Sequence, residues 1–228
     1  MASAHERNRT LDVEVAIYSD LICPWCFIGK RRIEQVLRTP VGEGVTIRWL
    51  PFQLYPNIPP GGVDRQQVLE ARYGADADAT RIPTRIRDEA ADVGLEFDFG
   101  AMRKTPNTLD GHRLLELFSG PRQSALMEVL FSYYFQQGAD VGDHSVLLDA
   151  VAEAGLDVEA AREVLGGDAF RDAVLENIRT AYDTGVTGVP SYLLAGRFTI
   201  PGAQPPEVLS RFIERARLRL GEDNNDSV

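Results

Sequence analysis

Two cysteines stand in 228 residues, Cys23 and Cys26, spaced C-x-x-C within Ser19-Asp20-Leu21-Ile22-Cys23-Pro24-Trp25-Cys26-Phe27-Ile28-Gly29-Lys30. Two thiols at that spacing can open and close a small disulfide ring. At a strand-to-helix junction such a pair reads as redox chemistry. A cysteine at a helix N-terminus faces unpartnered N–H groups and the positive end of the macrodipole, so its thiolate is favoured. Pro24 suits the first helical position, where its missing N–H would have had no partner. Trp25 adds a bulky apolar group beside the sulfurs. The expected division of labour is an exposed, nucleophilic Cys23 and a shielded Cys26, one turn on, that resolves the mixed disulfide. Two other readings are half of a zinc site and a pair of inert buried thiols. A structural zinc site takes four ligands, whereas His5, His112 and His144 are scattered and no second cysteine pair exists, so no metal is assigned. Proline and tryptophan at a helix start argue against inert thiols.

The elements around the motif must hold it in place. Val13 to Ser19 reads as a strand, Cys23 to about Arg38 as a helix, and Val45 to Leu50 as a second strand rich in β-branched and aromatic residues. That is a βαβ unit, expected to be parallel and right-handed. Residues 51–62 carry too much proline and glycine for regular structure. From Asp64 to about Gly185 only helical periodicity is evident, with Leu95 to Phe99 as an extended connector. Gly188-Val189-Pro190 then leads into a hairpin, Ser191 to Leu194 and Arg197 to Ile200, turned at Ala195-Gly196. An amphipathic helix starts at Pro205-Pro206. The expected organisation is a discontinuous α/β domain, 12–62 and 186–220, with a helical insertion over 63–185 and flexible termini at 1–11 and 221–228.

Composition is that of an ordinary globule, with 44% hydrophobic and 25% charged residues. The net charge of −10 argues against nucleic acid or an anionic membrane as partner. No segment approaches the roughly 20 apolar residues of a membrane span, and residues 1–10 carry no apolar signal core. A cytoplasmic location is expected, where a lone C-x-x-C is catalytic or redox-sensing more often than a staple.

The C-x-x-C after strand one and the Gly-Val-Pro before a late hairpin resemble the thioredoxin superfamily. The helical insertion resembles its DsbA-like branch. Four motifs in order are similar to the FrnE-like oxidoreductases, relatives of 2-hydroxychromene-2-carboxylate isomerase and the kappa-class glutathione transferases. They are Ser19 to Cys26, Pro106-Asn107-Thr108 with His112-Arg113-Leu114, Gly188-Val189-Pro190-Ser191, and Pro201 to Pro206. The resemblance covers about Val13 to Leu220. It implies a thioredoxin fold with a large all-helical insertion between its βαβ and ββα halves. It further implies a cis Val189–Pro190 bond facing the nucleophilic sulfur, with the backbone of Val189 open to an extended substrate. Some FrnE-like proteins resemble two-centre enzymes with extra C-terminal cysteines; this chain has none, so one redox centre remains.

Several residues have two readings each. Asp20 either accepts a proton from Cys26 or pairs with Lys30 or Arg31. Asn107 and Thr108 either cap the following helix or, by the resemblance, line a thiol-ligand pocket. His112 is either a structural histidine or faces the same cleft. Gln204 either points to solvent or helps a helix N-terminus hold an anionic group such as a glutathione carboxylate. With Cys23, Cys26 and Pro190 as the catalytic set and Pro24, Trp25 and Val189 beside them, two functions stand. One is a thiol–disulfide oxidoreductase for protein or low-molecular-weight disulfides. It would need no cofactor beyond its own disulfide, with glutathione or another small thiol as candidate co-substrate, and a small thiol or reductase to recycle it. The other is a glutathione-type isomerase or transferase acting on a small aromatic or polyketide-like substrate. Either is compatible with an oligomer. A serine commonly replaces the first cysteine in the isomerase and transferase relatives, so two cysteines favour redox chemistry.

Overall fold

The computed structural model describes residues 12–225. The expected loose termini at 1–11 and 226–228 lie outside the described residues. Residues 221–225, expected to be loose, instead continue the last helix.

Four strands form the main sheet: β1 (Val13–Ser19), β2 (Val45–Pro51), β5 (Ser191–Leu194) and β6 (Phe198–Pro201). Their order is β2-β1-β5-β6. β1 runs parallel to β2, with Val13 beside Val45 and Ser19 beside Pro51. β5 is antiparallel to β1, with Ile17 opposite Tyr192, and β6 is antiparallel to β5. Side chains alternate along β1. Val13, Val15 and Ile17 enter the main core, while Ala16 and Tyr18 enter a smaller cluster on the other face. Both faces of the central strand are therefore covered, and a near-continuous apolar run results.

Helix α1 (Pro24–Leu37) covers the first face. Its Phe27 ring stacks 5.0 Å from Phe131 and 6.0 Å from Phe97. Phe131 lies on α5 (Gly120–Gln137) and Phe97 in the connector before it. The insertion therefore shares one core with the sheet unit. Lys30, 3% exposed, reinforces the contact through ion pairs to Glu34 and, at 2.7 Å, to Glu128 of α5. The opposite face is closed by Ala181 of α8 (Arg171–Asp183) and by Val186, packed with Tyr18, Leu50 and Phe52.

The rest of the insertion is α2 (Arg65–Tyr73), α3 (Thr84–Ala91), α4 (Leu109–Leu117), α6 (His144–Glu153) and α7 (Val158–Gly166). Capping sets several starts: Asp64, Asp143 and Asp157 each accept hydrogen bonds from backbone N–H groups of the first turn. The insertion is not purely helical. A two-residue pair, β3 (Val63–Asp64) and β4 (Lys104–Thr105), closes its base. Two residues give no periodicity to read, and the partners lie about 40 positions apart in sequence. The last helix, α9 (Pro206–Asn225), runs past Leu220 and packs beside α1.

Candidate active site

β1 ends at Ser19, and a tight turn returns the chain into α1, closed by the Cys23 N–H on the Asp20 carbonyl at 3.1 Å. Cys23 is the last extended residue, with φ −97° and ψ 111°, and Pro24 opens the helix. The hairpin strand β5 lies next to β1, so the segment that enters it, Gly188 to Pro190, arrives beside Cys23. The Val189–Pro190 peptide bond is cis. The Cys23 thiol donates to the Val189 carbonyl at 3.4 Å. That carbonyl, implied to be open for a substrate, is occupied in the dithiol form.

Both cysteines are free thiols. Cys23 is not the exposed sulfur expected: the residue is 3% exposed, because Val189 and the start of α1 close over it. Cys26 is fully buried. Burial, and then the neighbouring Cys23, push the Cys26 thiol well above its ordinary value, while the Ser19 hydroxyl and the Asp20 backbone act against them.

The predicted residues divide into two groups. Trp25, Val189 and Gln204 line a cavity of about 420 Å³, together with Arg32, Arg85, Glu89 and Ala203. The Arg85 guanidinium lies 5.2 Å from the centre of the Trp25 ring. Arg32 is anchored at the cavity wall by the Ala203 carbonyl at 2.6 Å and an ion pair to Glu89. Gln204 turns its amide back to the Pro201 carbonyl at 2.6 Å. Pro24 is half-buried at the helix start. On the other side of Val189 a second cavity, about 510 Å³, is walled by Thr184 to Ser191, Thr199, Pro201 and Gly202.

Asp20, Asn107, Thr108 and His112 form a different cluster, tied to the loop after β2. Asp20 is fully buried and does not pair with Lys30 or Arg31, which are engaged by Glu34 and Glu128. One Asp20 oxygen accepts the Leu54 N–H at 2.7 Å, and the other lies 3.6 Å from His112 Nε2. That same nitrogen is 3.1 Å from the Phe52 carbonyl, so it carries the proton. Asn107 accepts the Leu109 N–H at 2.9 Å and donates to the Ile58 carbonyl at 2.6 Å. Thr108 is buried, 3.4 Å from the Gln53 amide. This cluster pins the 52–58 loop to α4, and none of its four members lines the cavity beside Trp25.

Sequence reasoning did not single out Arg32, Arg85, Glu89, Gly29 or Tyr192. Gly29 carries the one visible signal, a helix-interior glycine three residues after Cys26. A Cβ there would lie 2.5 Å from the Tyr192 hydroxyl and 3.0 Å from Pro190 Cγ. Glycine lets α1 approach the Pro190 turn.

A mixed sheet with a dithiol at the first helix, faced by a cis-proline turn, defines a thioredoxin-fold protein. The chain belongs to the DSBA-like thioredoxin domain family, whose model matches residues 14–214. It is similar to a probable DsbA oxidoreductase from Streptomyces coelicolor, 31% identical, covering 90% of this chain and 89% of that one with a TM-score of 0.76. An uncharacterized Bacillus subtilis protein, YwbO, is 27% identical over 208 residues, 89% of this chain and 96% of the relative. A 2-hydroxychromene-2-carboxylate isomerase has the same fold, at 18% identity and a TM-score of 0.64 over 94% of this chain and 99% of that one.

Proposed function

We propose that this chain is a thiol–disulfide oxidoreductase that cycles Cys23 and Cys26 between dithiol and disulfide. The observation that carries the reading is the contact between the Cys23 sulfur and the Val189 carbonyl, with Cys26 buried behind it. In the reducing direction the Cys23 thiolate attacks a substrate disulfide R–S–S–R′. A Cys23–S–S–R bond forms and R′S⁻ leaves, taking a proton. Cys26 then attacks the Cys23 sulfur, forming Cys23–Cys26 and releasing RS⁻, which takes the proton that Cys26 gave up. The protein dithiol is oxidised by two electrons and the substrate disulfide reduced by two.

When Cys23 binds substrate sulfur, its hydrogen bond to Val189 is lost. The Val189 carbonyl then accepts from an extended substrate, and Pro190 offers no competing N–H. The Trp25–Arg32–Arg85–Gln204 cavity has the size of a small-ligand site. It suits the carboxylate end of a peptide or of a low-molecular-weight thiol such as glutathione. A reductase or that same thiol would return the pair to the dithiol. Asp20, His112, Asn107 and Thr108 act in this reading through the loop they hold. A lone C-x-x-C with a catalytic role fits a reducing compartment, and in this reading the protein works in the cytoplasm. Among the described residues no helix is long and apolar enough to cross a membrane.

The charged cavity beside Trp25 also favours a second reading, a thiol-dependent isomerase in which Cys23 polarises a bound thiol and Cys26 is dispensable. One comparison separates them. Cys26→Ala is expected to abolish multiple-turnover insulin reduction with dithiothreitol, because Cys26 acts at an effective concentration no millimolar thiol reaches. Wild type is expected to show no glutathione-dependent isomerisation of a chromene substrate above background. Near-normal non-redox activity of Cys26→Ala would overturn the oxidoreductase reading.

A further inference from the structure

Two buried hydroxyls lie on the sheet face beneath the dithiol, and neither has a hydrogen-bond partner: Ser19 Oγ and Tyr192 Oη. Both residues are buried, Ser19 at 0% and Tyr192 at 0% exposure. Orphaned buried hydroxyls are rare, and each carries a desolvation cost. The strand register explains how two came to share one face. Tyr192 lies opposite Ile17 in the antiparallel pair, and Ser19 follows Ile17 by two residues, so all three side chains point to the same side. That side is covered by α1, the helix that carries Cys26. The Tyr192 hydroxyl reaches the helix at Gly29, one turn beyond Cys26.

We propose, resting on the dithiol reading above, that Ser19 and Tyr192 are hydroxyl donors held in reserve for the Cys26 thiolate. In the resting protein Cys26 is a neutral thiol and a weak acceptor, so the hydroxyls have nothing strong to bond. When Cys26 gives up its proton to attack the mixed disulfide, an anion is created in a fully buried place. Two buried O–H groups on the face that α1 covers, with no partner of their own, are free to turn to it where no water is at hand. They keep their own protons throughout. The proton released by Cys26 ends on the departing substrate thiol, as in the balanced step above. The electrostatics run the same way. The Ser19 hydroxyl draws the Cys26 thiol down against the effect of burial, and Tyr192 is held protonated by burial first and then by the nearby cysteine charges.

The test is a titration of Cys26 alone, read by thiolate absorbance near 240 nm in a Cys23→Ala background. Ser19→Ala and Tyr192→Phe are each expected to raise the midpoint by about 0.5–1 pH unit, the loss of one hydrogen bond to a charged form. Ser19→Thr keeps the hydroxyl and is expected to titrate with its parent. In the protein with both cysteines, Ser19→Ala and Tyr192→Phe should slow release of substrate from a preformed Cys23 mixed disulfide several-fold at pH 7. Alkylation of Cys23 should be unchanged. Midpoints that match the parent in both variants would overturn the proposal, and so would an equal shift in Ser19→Thr. The titration needs no turnover. If redox assays fail while the midpoints shift as stated, the oxidoreductase reading falls and the hydroxyl pair stands.

Discussion

The Cys23 thiol and the Val189 carbonyl meet at 3.4 Å across 166 residues of chain. One belongs to the first strand–helix junction, the other to the turn that enters the late hairpin. Their contact closes the site over the sulfur in the dithiol form, and in the proposed mechanism its loss frees the Val189 carbonyl for a substrate.

The proton that burial and the neighbouring Cys23 hold on Cys26 sets an order of reaction between the two thiols. Iodoacetamide on the reduced protein is expected to label Cys23 before Cys26 across pH 5–8, mapped by peptide mass. Cys26→Ser should accumulate mixed disulfides on non-reducing gels, and Cys23→Ser should capture few. Equal labelling, or equal capture, would contradict the assignment.

Stability of the reduced protein should fall in alkali. Burial holds the Cys26 proton well above the ordinary thiol value. Once pH passes about 8.5, the unfolded chain loses a proton that the folded chain keeps. The folded state then binds more protons, so stability declines as pH rises, by up to about 1.4 kcal/mol per pH unit for one group. Below about pH 8 the contribution is constant. Urea midpoints from pH 7 to 10 should fall more steeply for wild type than for Cys26→Ala, and parallel curves would refute this.

Gly29→Ala places a methyl 2.5 Å from the Tyr192 hydroxyl. Overpacking of that kind costs about 1–3 kcal/mol. Adding Tyr192→Phe removes the oxygen it meets and should recover part of the loss. A double-mutant cycle by chemical denaturation reads the coupling, and strict additivity would show that the two groups do not touch.

Glu89→Ala leaves the Arg32 guanidinium, 8% exposed, with the Ala203 carbonyl and no carboxylate. Truncating one partner of such a pair costs about 1–3 kcal/mol. It also frees positive charge at the cavity beside Trp25, so KM for an anionic small disulfide should fall. An unchanged KM would remove that cavity from the binding site.

Much of this was legible in order along the chain. The two cysteines, Pro24 between them, the β-branched strands and the Gly-Val-Pro before a hairpin are local signals, because helix starts, strands and turns are decided by neighbours a few residues apart. The main strands and helices accordingly lie where periodicity and capping placed them. What the tertiary structure alone decided is whatever depends on which segments meet. Asp20 turned towards Leu54 and His112 rather than towards Lys30, because the loop after β2 met it while Glu34 and the distant Glu128 held the lysine. Asn107 and Thr108 fastened a loop rather than lining the cavity beside Trp25, because β2 delivered Gln53 to α4. Cys23 became covered, because the hairpin brought Val189 onto it. Charges and hydroxyls take the partners that packing offers, and packing couples residues whose separation in sequence carries no period to read.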